Sequence, residues 1–123
     1  MVYIRYMNRT FIQLPPFSRY LDEMIKQGKI LQTDFEVFEQ QLLENPQIGD
    51  VIPGLSGIRK TRLKGANSGK RGGFRVDYLD IPEYSKLYLI VLYSKNIKED
   101  LSETEKKIVC RLVQQLKKEA THE

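Results

Sequence analysis

Several residue types that build common active sites are scarce in this sequence. Among its 123 residues there is one cysteine, one histidine and no tryptophan. The single cysteine, Cys110, excludes an internal disulfide and, with the absence of a signal peptide, predicts a reducing, cytoplasmic location. The histidine, His122, stands beside the C-terminus, where chains fray. A mechanism that needs a positioned imidazole is therefore disfavoured.

Long apolar runs are also absent. The longest, "LYLIVLY" at 87–93, is far shorter than the roughly 20 residues that a membrane-spanning helix needs. We therefore expect no contact with a membrane. The length of the chain and its 41% hydrophobic residues suit one modest hydrophobic core. We expect a single domain over residues 1–123.

Acidic residues are missing from one long stretch. Residues 57–76, "GIRKTRLKGANSGKRGGFRV", contain seven Lys or Arg and no Asp or Glu. The formal charge of the chain is +4 and this stretch carries +7, so the other residues together carry −3. Solvated surfaces normally mix the two signs, and a local excess of one sign usually faces a partner of the other sign. The stretch is therefore a candidate surface for binding a polyanion.

The first half of the chain predicts a strand followed by two helices. Residues 11–14 read as a short strand that ends at a proline pair, and an apolar stripe with helical spacing follows until Gly28. "TDFE" at 33–36 predicts a capping box that opens the second helix. The two helices should pack as an N-terminal helical hairpin. Residues 1–10 either extend the first strand or form an arm, and both alternatives stay open.

The second half predicts three strands and a helix. Polar and apolar residues alternate over 58–63 and 74–79, whereas 87–93 is apolar on both faces, as in a central strand. The tight connection at 80–85 makes the last two strands antiparallel neighbours. "SETE" at 102–105 predicts a capping box for a C-terminal helix. The element order predicts a small α+β domain with an antiparallel sheet.

Three cations on neighbouring predicted strands are the candidates for chemistry. The strand alternation places Lys60 and Arg62 on one face, and Arg75 comes from the strand across the hairpin. Guanidinium groups stay protonated and bind two phosphate oxygens at once, so they suit a phosphodiester whose charge grows in the transition state. A lysine crowded by other cations can act as a general base or acid. These residues predict a cationic cleft.

The glycine-rich segment between these strands lacks the sequence pattern of a nucleotide-binding loop. "GANSGKR" at 65–71 has three residues between its glycines and an arginine after its lysine, whereas a phosphate-binding P-loop needs four residues and then Ser or Thr. A nucleotide hydrolase is therefore disfavoured. A flexible basic loop that contacts a polyanion is the better interpretation. The candidate RNA- or ribosome-binding residues in and beside this loop are Arg59, Lys64, Lys70 and Arg71.

Three segments carry a resemblance to a known family. "GDVIPGLSGIRKTRL", "GKRGGFRVDY" and "LYLIVLYSKNIKEDLSETE" resemble, in order and spacing, the RelE/HigB toxins of bacterial toxin–antitoxin modules, the HigB branch most closely. The resemblance runs from about Phe11 to Leu116. It implies helices packed on an antiparallel sheet, and a ribosome-dependent endoribonuclease that cuts mRNA in the A site. In that reaction a ribose 2′-OH attacks the adjacent phosphate.

The resemblance also implies roles for particular residues. Arg62 and Arg75 match arginines that bind the phosphate and its transition-state charge, and Lys60 matches a residue for phosphate positioning or proton transfer. Tyr93 is implied to stack on a base, and Lys95 to protonate the leaving 5′ oxygen. No metal ion and no cofactor are expected.

Partners and alternatives follow from the same resemblance. A HigA-like helix-turn-helix antitoxin is expected to neutralise the toxin, whose targets are the ribosome and mRNA. One alternative is a non-enzymatic, ParE-like inhibitor of DNA gyrase, because ParE toxins are similar in fold but lack the catalytic set. Another is a plain RNA-binding module, which needs aromatic residues among the basic ones. Only Phe74 fulfils that condition within 57–76.

Overall fold

A mixed six-stranded sheet with helices on both faces forms the protein in the computed structural model, which describes residues 1–5, 9–67, 73–95 and 101–121. The α+β class predicted from the sequence is confirmed. In chain order the elements are β1 (Val2–Arg5), β2 (Thr10–Gln13), α1 (Pro15–Lys26), α2 (Gln32–Glu44), β3 (Asp50–Val51), β4 (Arg59–Leu63), β5 (Phe74–Ile81), a 3₁₀ turn (Pro82–Tyr84), β6 (Lys86–Ser94) and α3 (Glu103–Ala120).

The strands lie in the order β1-β2-β6-β5-β4-β3. β5 and β6 are antiparallel neighbours, as predicted, and Ser85 turns the chain between them with a φ of 53°. β1 pairs with β2 in antiparallel fashion, so residues 2–5 form an edge strand. β2, however, runs parallel to β6.

The prediction of an antiparallel sheet was therefore wrong for one pairing. Parallel neighbours require a long crossover, and the chain between β2 and β6 supplies it with two helices and three strands. The periodicity of a strand shows which side chains share a face. It carries no information on the direction of a partner that is distant along the chain.

One face of the sheet is covered by α1 and α2. The apolar stripe of α1 buries Phe17, Leu21 and Met24 in a core that also contains Phe38 and Leu42 of α2. The rings of Phe17 and Phe35 lie 6.3 Å apart between their centroids, which is a contact between the two helices. The hairpin arrangement of α1 and α2 stays a prediction.

The two predicted capping boxes have different outcomes. At α3 the box is confirmed, because Ser102 Oγ accepts from the Glu105 N–H at 3.1 Å and Glu105 Oε1 accepts from the Ser102 N–H at 2.8 Å. At α2 it was wrong, since the helix begins at Gln32 with Leu31 in the N-cap position and no side-chain cap. Thr33 consequently lies inside the first turn, where the backbone is already helical.

The opposite face of the sheet is covered by α3. Val109, Val113 and Leu116 are buried against a second core that contains Tyr88 and Ile90 of β6. No helix within the described ranges is both long and apolar enough to cross a membrane.

The buried Tyr88 hydroxyl predicts how the free energy of unfolding changes at alkaline pH. Burial, followed by the negative charge of Glu119, raises the pKa of Tyr88 to about 12. A phenol in the unfolded chain has a pKa of about 10, so the neutral ring stabilises the fold fully below that pH and less as the pH rises towards about 12. Among the described residues, no group hydrogen-bonds the Tyr88 hydroxyl.

Replacement of Tyr88 by Phe should therefore leave the free energy of unfolding at pH 7 nearly unchanged and reduce its loss between about pH 9 and pH 11. Urea unfolding at both ends of that range measures the difference. Tyr84→Phe, in the exposed 3₁₀ turn, is the control. Equal alkaline losses in the Tyr88→Phe variant and the wild type would contradict the prediction.

Candidate functional site

The register between β4 and β5 brings the basic residues together. Arg62 lies opposite Arg75, and Lys60 lies opposite Asp77. Directly paired residues of antiparallel strands project from the same face of a sheet. Lys60, Arg62, Arg75 and Asp77 therefore share one face, while Val76, between Arg75 and Asp77, lies in the core beneath α1 and α2.

A cleft of about 400 Å³ opens on this face. It is lined by Ile48, Asp50, Lys60, Thr61, Arg62 and Arg75. Arg62 is exposed, Lys60 is half-buried and Arg75 is only 5% exposed, so the cations extend from the rim of the cleft to its buried side. The three cations named from the sequence thus line one cleft.

Two buried polar residues lie beside the cleft on the same face. Tyr93 of β6 is the register partner of Arg75, and its hydroxyl lies 3.4 Å from Asp77 Oδ1 as a hydrogen-bond donor. Tyr93 is 5% exposed and Asp77 is 0% exposed. Tyr93 also packs in the core beneath α3, so little of its ring is accessible for stacking on a base. Asp77 is absent from the residues selected from the sequence, although its alternation with Arg75 already placed the two on one face.

One wall of the cleft is the segment between α2 and β3, which side chains of the sheet hold in place. Tyr78 Oη accepts from the Gly49 N–H at 2.9 Å and donates to the Pro46 carbonyl at 2.8 Å. The Arg59 guanidinium donates to the Gly49 carbonyl at 2.8 Å and to that of Gln47 at 3.3 Å. Burial raises the pKa of Tyr78, which keeps its hydroxyl protonated for these contacts.

The approach of this wall to the sheet requires glycine at position 49. A Cβ atom at Gly49 would lie 2.8 Å from the Lys60 carbonyl oxygen and 2.9 Å from Tyr78 Cε1, closer than van der Waals contact allows. Ile48 and Asp50, which flank Gly49, therefore reach the cleft because residue 49 has no side chain.

The remaining residues selected from the sequence lie elsewhere. Arg59 projects from the other face of β4 and holds the wall described above. Lys64 is exposed just after β4, and Lys95 is half-buried just after β6. Lys70 and Arg71 lie outside the described residues. The structure thus brings Lys60, Arg62 and Arg75 together, with Tyr93 behind them.

Neither a metal site nor a family match adds to this picture. Within the ranges that the structure describes, no three His, Cys, Asp or Glu side chains are grouped so that they could hold a metal ion. No protein-family model matches the chain. The chemistry of the cleft is therefore the basis for a functional proposal.

The two hydrogen bonds by which Tyr78 fixes the wall can be tested by mutation. Tyr78→Phe removes the acceptor of the Gly49 N–H and the donor to the Pro46 carbonyl, and should lower the free energy of unfolding by about 1–3 kcal/mol. Tyr88→Phe is the matched control, because it also removes a buried hydroxyl but one without a hydrogen-bond partner among the described residues. Urea unfolding compares the two. A loss no greater than that of the control would show that these hydrogen bonds do not hold the wall.

Proposed function

We propose that this protein is an endoribonuclease of the RelE/HigB type, a toxin that cuts mRNA on the ribosome at the cleft of Lys60, Arg62 and Arg75. The observation that carries the proposal is the convergence of three cations from two neighbouring strands on one cleft of about 400 Å³. Strands hold their side chains in fixed directions, so these charges are oriented before a substrate arrives.

The cleft suits cleavage of RNA by attack of the ribose 2′-hydroxyl on the adjacent phosphate. The ribose 2′-oxygen forms a bond to the adjacent phosphorus, the bond from phosphorus to the 5′ oxygen breaks, and a 2′,3′-cyclic phosphate and a 5′-hydroxyl result. One proton leaves the 2′-OH and one is delivered to the 5′ oxygen. Negative charge grows on the phosphate oxygens during the attack, and positioned guanidinium groups stabilise that charge.

The burial of the cations suggests a division of roles. Arg62, at the exposed rim, is assigned to capture of the phosphate, and the buried Arg75 to the charge of the transition state. Low exposure strengthens an electrostatic interaction because less water screens it. Lys60, which lines the cleft, is assigned to phosphate positioning or proton transfer. Protonation of the leaving oxygen by Lys95 stays a prediction, because Lys95 is not among the residues that line the described part of the cleft.

The plain RNA-binding alternative receives less support. Phe74, the one aromatic residue of 57–76, is 6% exposed and lies in the core beneath α1 and α2. No aromatic side chain lines the described part of the cleft, so a base has no platform for stacking there. The proposed partners are accordingly the ribosome with its mRNA and a HigA-like antitoxin, in the cytoplasm.

The test is induction of the protein in bacteria, with measurement of growth and mapping of transcript 5′ ends. Arg62→Ala should reduce cleavage about 100-fold or more and relieve growth arrest, because it removes a charged donor to the phosphate. Arg62→Lys keeps the charge but loses the bidentate contact, so an intermediate rate is expected. Arg19→Ala, an exposed arginine of α1 on the other face, is the matched control and should cut as the wild type does.

Three outcomes would count against the proposal. Growth arrest without cleavage inside translated regions would exclude the interferase, and inhibition of supercoiling by purified gyrase under the same conditions would favour the ParE-like alternative. Cleavage by Arg62→Ala at the rate of Arg19→Ala would remove the cleft from the mechanism.

A further inference from the structure

We propose that Asp77 is a positioning residue of the cleft: its buried carboxylate, contacted by the Tyr93 hydroxyl, keeps the side chains of Lys60 and Arg75 directed towards the substrate. This inference rests on the proposed function. It names a residue that the sequence did not single out and assigns it an action through its neighbours rather than contact with RNA.

Asp77 lies beside the residues of the cleft within the sheet. It lies on the central strand β5, opposite Lys60 on β4, and two residues from Arg75 on the same face. Its side chain therefore projects from the same face of the sheet as those of Lys60 and Arg75. Tyr93 reaches it from the other neighbouring strand, with 3.4 Å between Tyr93 Oη and Asp77 Oδ1. Asp77 thus has neighbours on all three strands that carry the site, β4, β5 and β6.

A carboxylate at this position costs free energy of folding. Asp77 is 0% exposed, and burial of a charge costs free energy unless cations and hydrogen bonds compensate for it. Asp77 keeps the alternation of polar and apolar residues over 74–79, and its partner on β6 is Val91. What is unusual is its full burial, and a fully buried carboxylate is typical of a functional site.

The negative charge of Asp77 limits what this residue can contribute. A carboxylate on the same face as the cations repels the phosphate that the cleft is proposed to bind, so Asp77 weakens binding of RNA. Its benefit must therefore lie in geometry. Side chains with locked orientations hold reacting groups within the narrow tolerance that catalysis needs, and a buried hydrogen-bonded carboxylate is a means of locking long cationic side chains.

These opposite effects on binding and on rate define the experiment. Wild type and Asp77→Asn are compared on ribosomes carrying mRNA for kcat and KM, and for affinity to the same mRNA with a 2′-O-methyl group at the cleaved nucleotide. We expect kcat to fall about 10-fold or more, whereas the affinity for the methylated RNA stays equal or becomes tighter because a negative charge has been removed. Asp22→Asn, on the exposed surface of α1, is the matched control and should change neither quantity.

A double-mutant cycle with Tyr93→Phe distinguishes positioning from a general structural role. Tyr93→Phe alone should lower kcat, but in the Asp77→Asn background it should have little further effect, because both changes release the same carboxylate contact. Additive losses, an unchanged kcat in Asp77→Asn, or a parallel fall of rate and affinity would each overturn the inference while leaving the proposed function in place.

Folding of the variants is checked by thermal unfolding. If Asp77→Asn does not fold, Asp77→Val, with a side chain that favours strands, replaces it in every comparison. Failure of both to fold would overturn the inference, since the carboxylate would then serve the fold itself. If the wild type cuts no RNA on ribosomes, the proposed function is wrong, and the proposed role of Asp77 is wrong with it. The wild-type reaction alone shows this outcome, so it is distinguishable from a failure of the inference about Asp77.

Discussion

The pairing of Arg62 with Arg75 across β4 and β5 is the constraint on which the rest of the site depends. Two like charges directly opposite each other destabilise an antiparallel pair. The register is nevertheless specified, because a slip of β4 by one residue would turn Leu63 away from the core that it shares with Phe74 and Val76 of β5. The hydrophobic face of the hairpin thus holds two cations together on the other face.

The same alternation gives each of these two strands one face in the core and one face at the cleft. On β5, Val76 and Tyr78 lie in the core and Tyr78 also holds the wall of the cleft, whereas Arg75 lines the cleft and Asp77 projects from the same face as Arg75. Arg59 shows the limit of reasoning from charge alone, because the sequence grouped it with RNA-binding residues. The structure places its guanidinium against the carbonyls of the wall, so its charge supports the shape of the site.

Local signals predicted much of the architecture. The stripe of α1, the capping box of α3 and the hairpin of β5 and β6 each arise from residues close in sequence, and each is present in the structure. The capping box assigned to 33–36 was wrong because the helix starts at Gln32, and helix boundaries depend on the neighbouring chain as well as on the motif. The cation trio was accessible to prediction because period-two alternation is a property of the strand itself.

Composition and periodicity are local properties, and they were enough to identify the three helices and four of the six strands in the part of the chain that the structure describes, the excess of positive charge in 57–76 and the face that Lys60 and Arg62 share. Only the tertiary structure decided the parallel pairing of β2 with β6, the close approach of Gly49 to Lys60 and the burial of Asp77 beside Tyr93. These contacts join residues that are distant along the chain. Their distances and burial depend on how the whole sheet and its helices pack, which no local pattern contains.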